Sequence, residues 1–219
     1  MTESTAVTAL RESAPVTRLT IPSELLPSDG RFGCGPAKVR PASITALADG
    51  GTRLMGTSHR QDPVKNLVGS VRDGLAALFK LPDGYEVVLG NGGSTLFWDV
   101  AVFSLIETRS AHGSFGEFSA KFAAAATAAP HLTDPEVVTA PVGSVAVPGA
   151  VDNADVYAWA HNETSTGALA PVERVAGSDP DALVLIDGTS AAGRRRHDHG
   201  GGFRKHTPVL RGEGLRQPG

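Results

Sequence analysis

Apolar residues recur along this chain in two textures, at helical spacing and as short continuous runs between turns. Val64, Leu67, Val68, Val71, Leu75 and Leu78 follow helical spacing and predict a helix with one apolar face. Asp62 is placed to cap it, and Pro63 suits its first position, where the amide has no intrahelical partner. Leu81-Pro82-Asp83-Gly84 closes it as a turn. Residues 85–89 predict a short strand, leading through Gly90-Asn91-Gly92-Gly93-Ser94-Thr95 into residues 96–106, whose all-round apolar pattern predicts a buried helix. Residues 110–115 predict the next strand, and an alanine-rich helix follows from about 116 to 129. Residues 136–140, 156–160 and 182–186 predict further strands. Upstream, residues 1–30 hold Pro15, Pro22 and Pro27 and read as an extended arm; residues 31–36 are turn-rich, and 41–49 predict a short helix. Strands alternating with helices define an α/β fold, a mainly parallel sheet with helices on both faces.

The pattern breaks after Gly193. Arg194-Arg195-Arg196-His197-Asp198-His199 opens a stretch of 26 residues whose only large apolar residues are Phe203, Val209, Leu210 and Leu215. Residues 1–193 hold 13 Lys and Arg against 21 Asp and Glu; residues 194–219 hold 7 against 2. A basic tail is a candidate arm for nucleic acid or an anionic surface. An Arg/Gly/His/Pro-rich segment that begins inside a fold is instead what a GC-rich gene yields when read out of frame. The tail 194–219 is therefore expected to be aberrant, from a frameshift or truncation, and disordered, with no nucleic-acid partner. The apolar share of 41% is ordinary for a soluble α/β protein, and no apolar run approaches a membrane span. Cys34 is the only cysteine, which excludes an internal disulfide and makes a cytoplasmic location the expectation.

Candidate chemistry sits at turns. Gly92-Gly93-Ser94-Thr95 follows a predicted strand and opens a helix, where amides and the two hydroxyls suit a phosphate monoester; the plainer alternative is a loop with Ser94 as N-cap. Asp187 ends an apolar strand, at the edge where an open α/β sheet places ligands, and could either cap a helix or meet a cationic ligand atom. Asn162-Glu163-Thr164-Ser165-Thr166-Gly167 lies beyond another strand, and Ser58-His59-Arg60-Gln61 precedes the first long helix.

Taken in order, Phe32-Gly33-Cys34-Gly35-Pro36, Gly56-Thr57-Ser58-His59-Arg60, Gly90-Asn91-Gly92-Gly93-Ser94-Thr95, His161-Asn162-Glu163-Thr164 and Ile186-Asp187 resemble phosphoserine aminotransferase. The resemblance covers about residues 20–193 and is nearest the actinobacterial branch. It implies a pyridoxal-phosphate (PLP) fold-type I large domain over 31–193, incomplete, with the C-terminal small domain missing. It implies pyridoxal 5'-phosphate held by Ser94 and Thr95 at the phosphate, Phe118 stacked on the ring, Thr164 at the ring oxygen and Asp187 at the pyridinium nitrogen. Arg60 matches the arginine that grips a substrate carboxylate, a role suited to a planar fork. Trp98 reads as core. The implied reaction passes an amino group from L-glutamate to 3-phosphohydroxypyruvate in serine biosynthesis, in a cytoplasmic homodimer without metal. It also needs a lysine that carries PLP as a Schiff base. The family distance from Asp187 lands near Arg211, and Lys205, the tail's lysine, lacks the matching context, so no catalytic residue is assigned and the chain is expected to be inactive. A related aminotransferase or desulfurase is disfavoured by the His59-Arg60 and Asn162-Glu163-Thr164 pairing; a non-catalytic fragment that binds phosphate or PLP is the alternative.

Overall fold

The computed structural model describes residues 20–27 and 38–192. The Phe32–Pro36 motif, most of the expected arm and the tail from 194 lie outside these residues. The chain divides into two compact units, residues 1–58 and 59–219. The described part of the first unit holds a 3-10 turn at Ser23–Leu25 and helix α1, Pro41–Gly50, which runs into a 3-10 turn at Gly51–Arg53. Pro41 falls in the first turn of α1, where its missing N–H costs nothing.

The second unit opens with α2, Asp62–Phe79. The expected cap is corrected. Gln61 is the N-cap, Asp62 is already helical, and no side chain caps this end. Asp62 instead lies 4.0 Å from Lys65 one turn on. The helix ends in a left-handed residue, Lys80, and the Leu81 amide reaches back 3.0 Å to the Ala76 carbonyl. Its apolar face exists as predicted but is left to solvent, with Leu67, Val68, Val71 and Leu78 exposed and no residue of α2 buried.

The strand expected at 85–89 does not form; these residues run extended without a sheet partner. A β-rich run makes a strand only when a neighbour completes its ladder, and Val88 is 80% exposed. The segment is tied to α2 instead, through Arg72 Nε donating to the Val87 carbonyl at 2.7 Å. Residues 96–106 form α3, Ser94–Val100, followed by a π turn at Ala101–Leu105. The expected all-round burial is also corrected: Trp98, Ala101, Val102 and Ile106 are buried, whereas Leu96, Val100 and Phe103 are exposed.

The sheet comprises β1 (Ser110–Ser114), β2 (Glu136–Thr139), β3 (Val156–Ala160) and β6 (Leu183–Asp187), in the order β2-β1-β3-β6 with every pairing parallel. Helix α4, Glu117–Thr127, follows β1. A short antiparallel hairpin, β4 (Asn162–Glu163) and β5 (Ala168–Leu169), springs from the end of β3. All five residues of β3 are buried, as a central parallel strand requires. Their side chains alternate between two cores. Val156 and Ala158 pack with Leu185, Trp98, Ala101, Phe122 and Ala126, beneath α3 and α4. Tyr157 and Trp159 pack on the other face with Phe115, Ala146, Ala170, Val175 and Val184. That second face is covered by irregular segments, so the expectation of helices on both faces holds, among the described residues, for one face only. Side-chain bonds replace a helix there: Trp159 Nε1 donates to the Pro171 carbonyl at 2.8 Å, and the Val151 amide donates to the Tyr157 hydroxyl at 3.0 Å. No helix of the described residues is long and apolar enough to cross a membrane.

Candidate functional site

The four parallel strands end together at one edge, and the exits after β1, β3 and β6 carry the candidate residues. After β1 comes Phe115-Gly116 and the first turn of α4, which carries Phe118. After β3 comes His161 and the β4–β5 hairpin, with Thr164 in its turn. After β6 comes Asp187-Gly188-Thr189-Ser190. Register places Asp187 beside Ala160, so Asp187 and the start of the hairpin leave neighbouring strands at one level, and the His161 amide donates to the Asp187 carbonyl at 2.9 Å.

Ser94 and Asp187 line a single cavity of about 390 Å³ together with Gly93, Phe97 and residues 185–189. Gly93, not Ser94, is the N-cap of α3; Ser94 is its first helical residue, and Gly92 turns the loop at φ +85, a conformation favouring glycine. Ser94 is half-buried and Thr95 exposed. Asp187 is half-buried; its Oδ1 accepts from the Thr189 amide at 3.0 Å and from the Thr189 hydroxyl at 2.6 Å. Its Oδ2 has no hydrogen-bond partner among the described residues. The aspartate therefore has one oxygen fixed by its own turn and one left to accept from a ligand.

Thr164 donates from Oγ1 to Ser190 Oγ at 2.7 Å, and Asn162 Nδ2 donates to the same oxygen at 2.9 Å. Ser190 in turn donates to the Asn162 carbonyl at 3.0 Å, which joins the β4 turn to the turn after β6. Ser190 was not singled out from sequence; its place three residues beyond Asp187 was the available signal. Phe118 is 38% exposed on the first turn of α4, with the Lys121 ammonium 6.0 Å from its ring centre. Arg60 is exposed in the turn before α2. The fold thus brings Ser94 and Asp187 to one cavity and Thr164 to the adjoining turn through Ser190.

Sequence reasoning assigned no role to Glu163, which is fully buried. Burial alone would raise its carboxyl, but hydrogen bonds from Ser119, Ser165 and Phe118 outweigh that and hold it below its ordinary 4.5. His112, on β1, is also buried, with Nε2 2.9 Å from Ser110 Oγ and its ring edge-on to Phe122. Burial pushes it from 6.5 down to about 4.

A pH dependence follows with a definite sign. Between 6.5 and about 4 the unfolded histidine binds a proton that folded His112 does not, so stability falls across that window. The accumulated loss by pH 4 is about 3 kcal/mol. Glu163 acts lower: its contribution is complete above 4.5 and disappears as pH falls through its depressed folded value. Denaturant titrations from pH 7 to 4 should show the first slope, and His112→Gln should flatten it. An unchanged slope in that variant would assign the pH effect to other groups.

The residues at this sheet edge fit pyridoxal phosphate in kind: hydroxyls at a helix start, an aromatic ring, and a carboxylate with an uncommitted oxygen lining a cavity that also reaches Ser94. Comparison with known proteins agrees with the fold. No family model matches the chain. Phosphoserine aminotransferase of Nocardioides sp. is 62% identical over 176 residues, covering 80% of this chain and 47% of the relative. Among solved structures, the phosphoserine aminotransferase of Cytophaga hutchinsonii has a TM-score of 0.62 at 27% identity, covering 70% of this chain and 44% of that one. The PLP-bound phosphoserine aminotransferase of Trichomonas vaginalis has a TM-score of 0.50 at 19% identity, over 71% and 46%, and speaks to fold alone.

The molecule has an α/β fold with a parallel sheet, similar to part of a solved phosphoserine aminotransferase. Over its matched residues it is a homologue of phosphoserine aminotransferase, and the chain spans about half the length of the curated relatives it matches.

Proposed function

We propose that this chain carries the cofactor-binding part of a PLP-dependent phosphoserine transaminase. The complete protein would pass the amino group of L-glutamate to 3-phosphohydroxypyruvate, in cytoplasmic serine biosynthesis and as a homodimer. One observation carries this reading: Ser94 and Asp187 line one cavity at the carboxyl edge of a parallel sheet, in a chain that is 62% identical over 176 residues to a phosphoserine aminotransferase. When bound, PLP supplies an electron-accepting ring that makes the bond at the amino-bearing carbon labile.

The chain's own residues bind and orient. The Ser94 and Thr95 hydroxyls donate to the phosphate. Asp187, its Oδ1 fixed by Thr189, offers Oδ2 to the protonated ring nitrogen and holds the charge there. Phe118 would cover the ring, and the Thr164 hydroxyl, which now donates to Ser190, would serve the ring oxygen. Arg60 takes a substrate carboxylate by its fork. No lysine of this chain is given the Schiff-base role, and Lys205 lies in the tail outside the described residues.

A PLP titration of the full chain tests this reading. Saturable binding is expected, weakened by Ser94→Ala and unchanged by Arg60→Ala, because Arg60 serves the substrate. After borohydride reduction no lysine should carry a stoichiometric pyridoxyl label. Absence of saturable binding, or Lys205 labelled with glutamate turnover, would overturn it; an equal loss in Arg60→Ala would make Arg60 structural.

A further inference from the structure

We propose that Glu163 is the positioning residue of this site: its carboxylate locks the first turn of α4, which carries Phe118, to the hairpin turn that carries Thr164. The inference rests on the reading of the cofactor site given above.

A helix start leaves backbone donors without partners, and these are usually met by a side chain just before the helix. No such local cap exists in α4, whose N-cap is Gly116. The donors are met from the hairpin, more than forty positions on in the chain. The Glu117 amide donates to Ser165 Oγ at 2.9 Å, Phe118 to Glu163 Oε1 at 3.3 Å and Ser119 to Glu163 Oε2 at 2.8 Å. The Ser119 hydroxyl adds a bond to Oε2 at 2.8 Å and the Ser165 hydroxyl one to Oε1 at 2.7 Å. Both carboxylate oxygens are thus saturated by N–H and O–H donors.

Such a group gains from being charged, and negative charge is favoured at a helix N-terminus. The approach is close enough that a Cβ on Gly116 would lie 2.3 Å from Glu163 Cγ. Nothing but glycine lets the two turns meet at this distance. Because Glu163 fills the start of α4, that helix end is closed to a phosphate, which leaves the phosphate to the Ser94 loop. Phe118 gives its own amide to the clamp, and Thr164 lies between its two hairpin members, Glu163 and Ser165. Four of the bonds that join the two turns involve Phe118, Ser119 or Glu117, and the Glu163 carboxylate accepts most of them. The Glu117–Ser165 and Thr166–Phe115 bonds lie beside it, so the mutual placement of Phe118 and Thr164 rests chiefly on Glu163.

The test is a double-mutant cycle read by PLP titration of the full chain. Four proteins are compared: wild type, Glu163→Gln, Phe118→Ala and the double variant. Glutamine keeps the volume of the carboxylate but turns one acceptor into a donor that faces N–H groups. Each single variant is expected to weaken PLP binding about tenfold, and the double variant also about tenfold rather than a hundredfold. The induced circular dichroism of the bound cofactor should fall to the same level in all three. A general loss of stability would act independently of Phe118 and multiply with it. If Glu163→Gln fails to fold, Ser165→Ala takes its place in the cycle. Multiplicative losses, or a Glu163→Gln variant that binds PLP like the wild type, overturn the inference and leave the site reading intact. A wild type that does not bind PLP overturns both.

Discussion

Trp159→Ala is expected to lower stability by about 3–5 kcal/mol, a large part of what a domain of this size has. The indole is 1% exposed, sits on β3, one of the two interior strands, and fills the core between the sheet and the irregular segments over it. Its removal leaves a void and strands the Pro171 carbonyl, which now accepts from Nε1 at 2.8 Å. Losing a buried hydrogen bond from one side adds the desolvation of the remaining group to the cavity cost. Trp159→Phe separates these contributions, since it keeps most of the volume and only orphans the carbonyl. Urea titration followed by far-ultraviolet circular dichroism measures both. A loss below about 1 kcal/mol for the alanine variant would mean that the segments over this face collapse into the space, and that the second core is not closely packed.

Asp187→Ala is expected to weaken PLP binding by at least about thirtyfold, the equivalent of roughly 2 kcal/mol for a desolvated charge pair that loses one partner. The variant also frees the Thr189 amide and hydroxyl, so its melting must be followed beside its binding. Asp187→Asn retains the shape and an acceptor for Thr189 while removing the charge. If the aspartate serves by holding the ring nitrogen protonated, asparagine should fail almost as badly as alanine. Binding restored by asparagine would show that Asp187 contributes its turn and not its charge.

Strands β2, β3 and β6 were legible because each is a short run rich in apolar residues and bounded by turn residues, and β3 falls where its run predicts, at Val156–Ala160; β1, Ser-Ala-His-Gly-Ser, is no such run. The run at 85–89 misled because side-chain preference says nothing of whether a partner strand is at hand. The pattern over 96–106 misled in a related way: it records how much apolar surface a segment carries, not how much its neighbours cover. The contact of Ser94 with the cavity of Asp187 could be anticipated only by resemblance, since more than ninety positions separate them. Glu163 shows what sequence conceals. In a run of Asn, Glu, Thr and Ser it reads as a polar turn, and nothing local marks it as the cap of a helix formed much earlier in the chain.

The order β2-β1-β3-β6 has a consequence for how the molecule is made. Strand β1 comes first, β2 is laid on one side of it, β3 on the other, and β6 outside β3. Among the described strands, none has to be inserted between two that are already paired. Each new strand meets a finished edge as a template, so the sheet can grow outward in step with synthesis from the ribosome. Addition is also one-directional on the β6 side, so a longer chain could continue from the β6 edge without reopening β1 and β3.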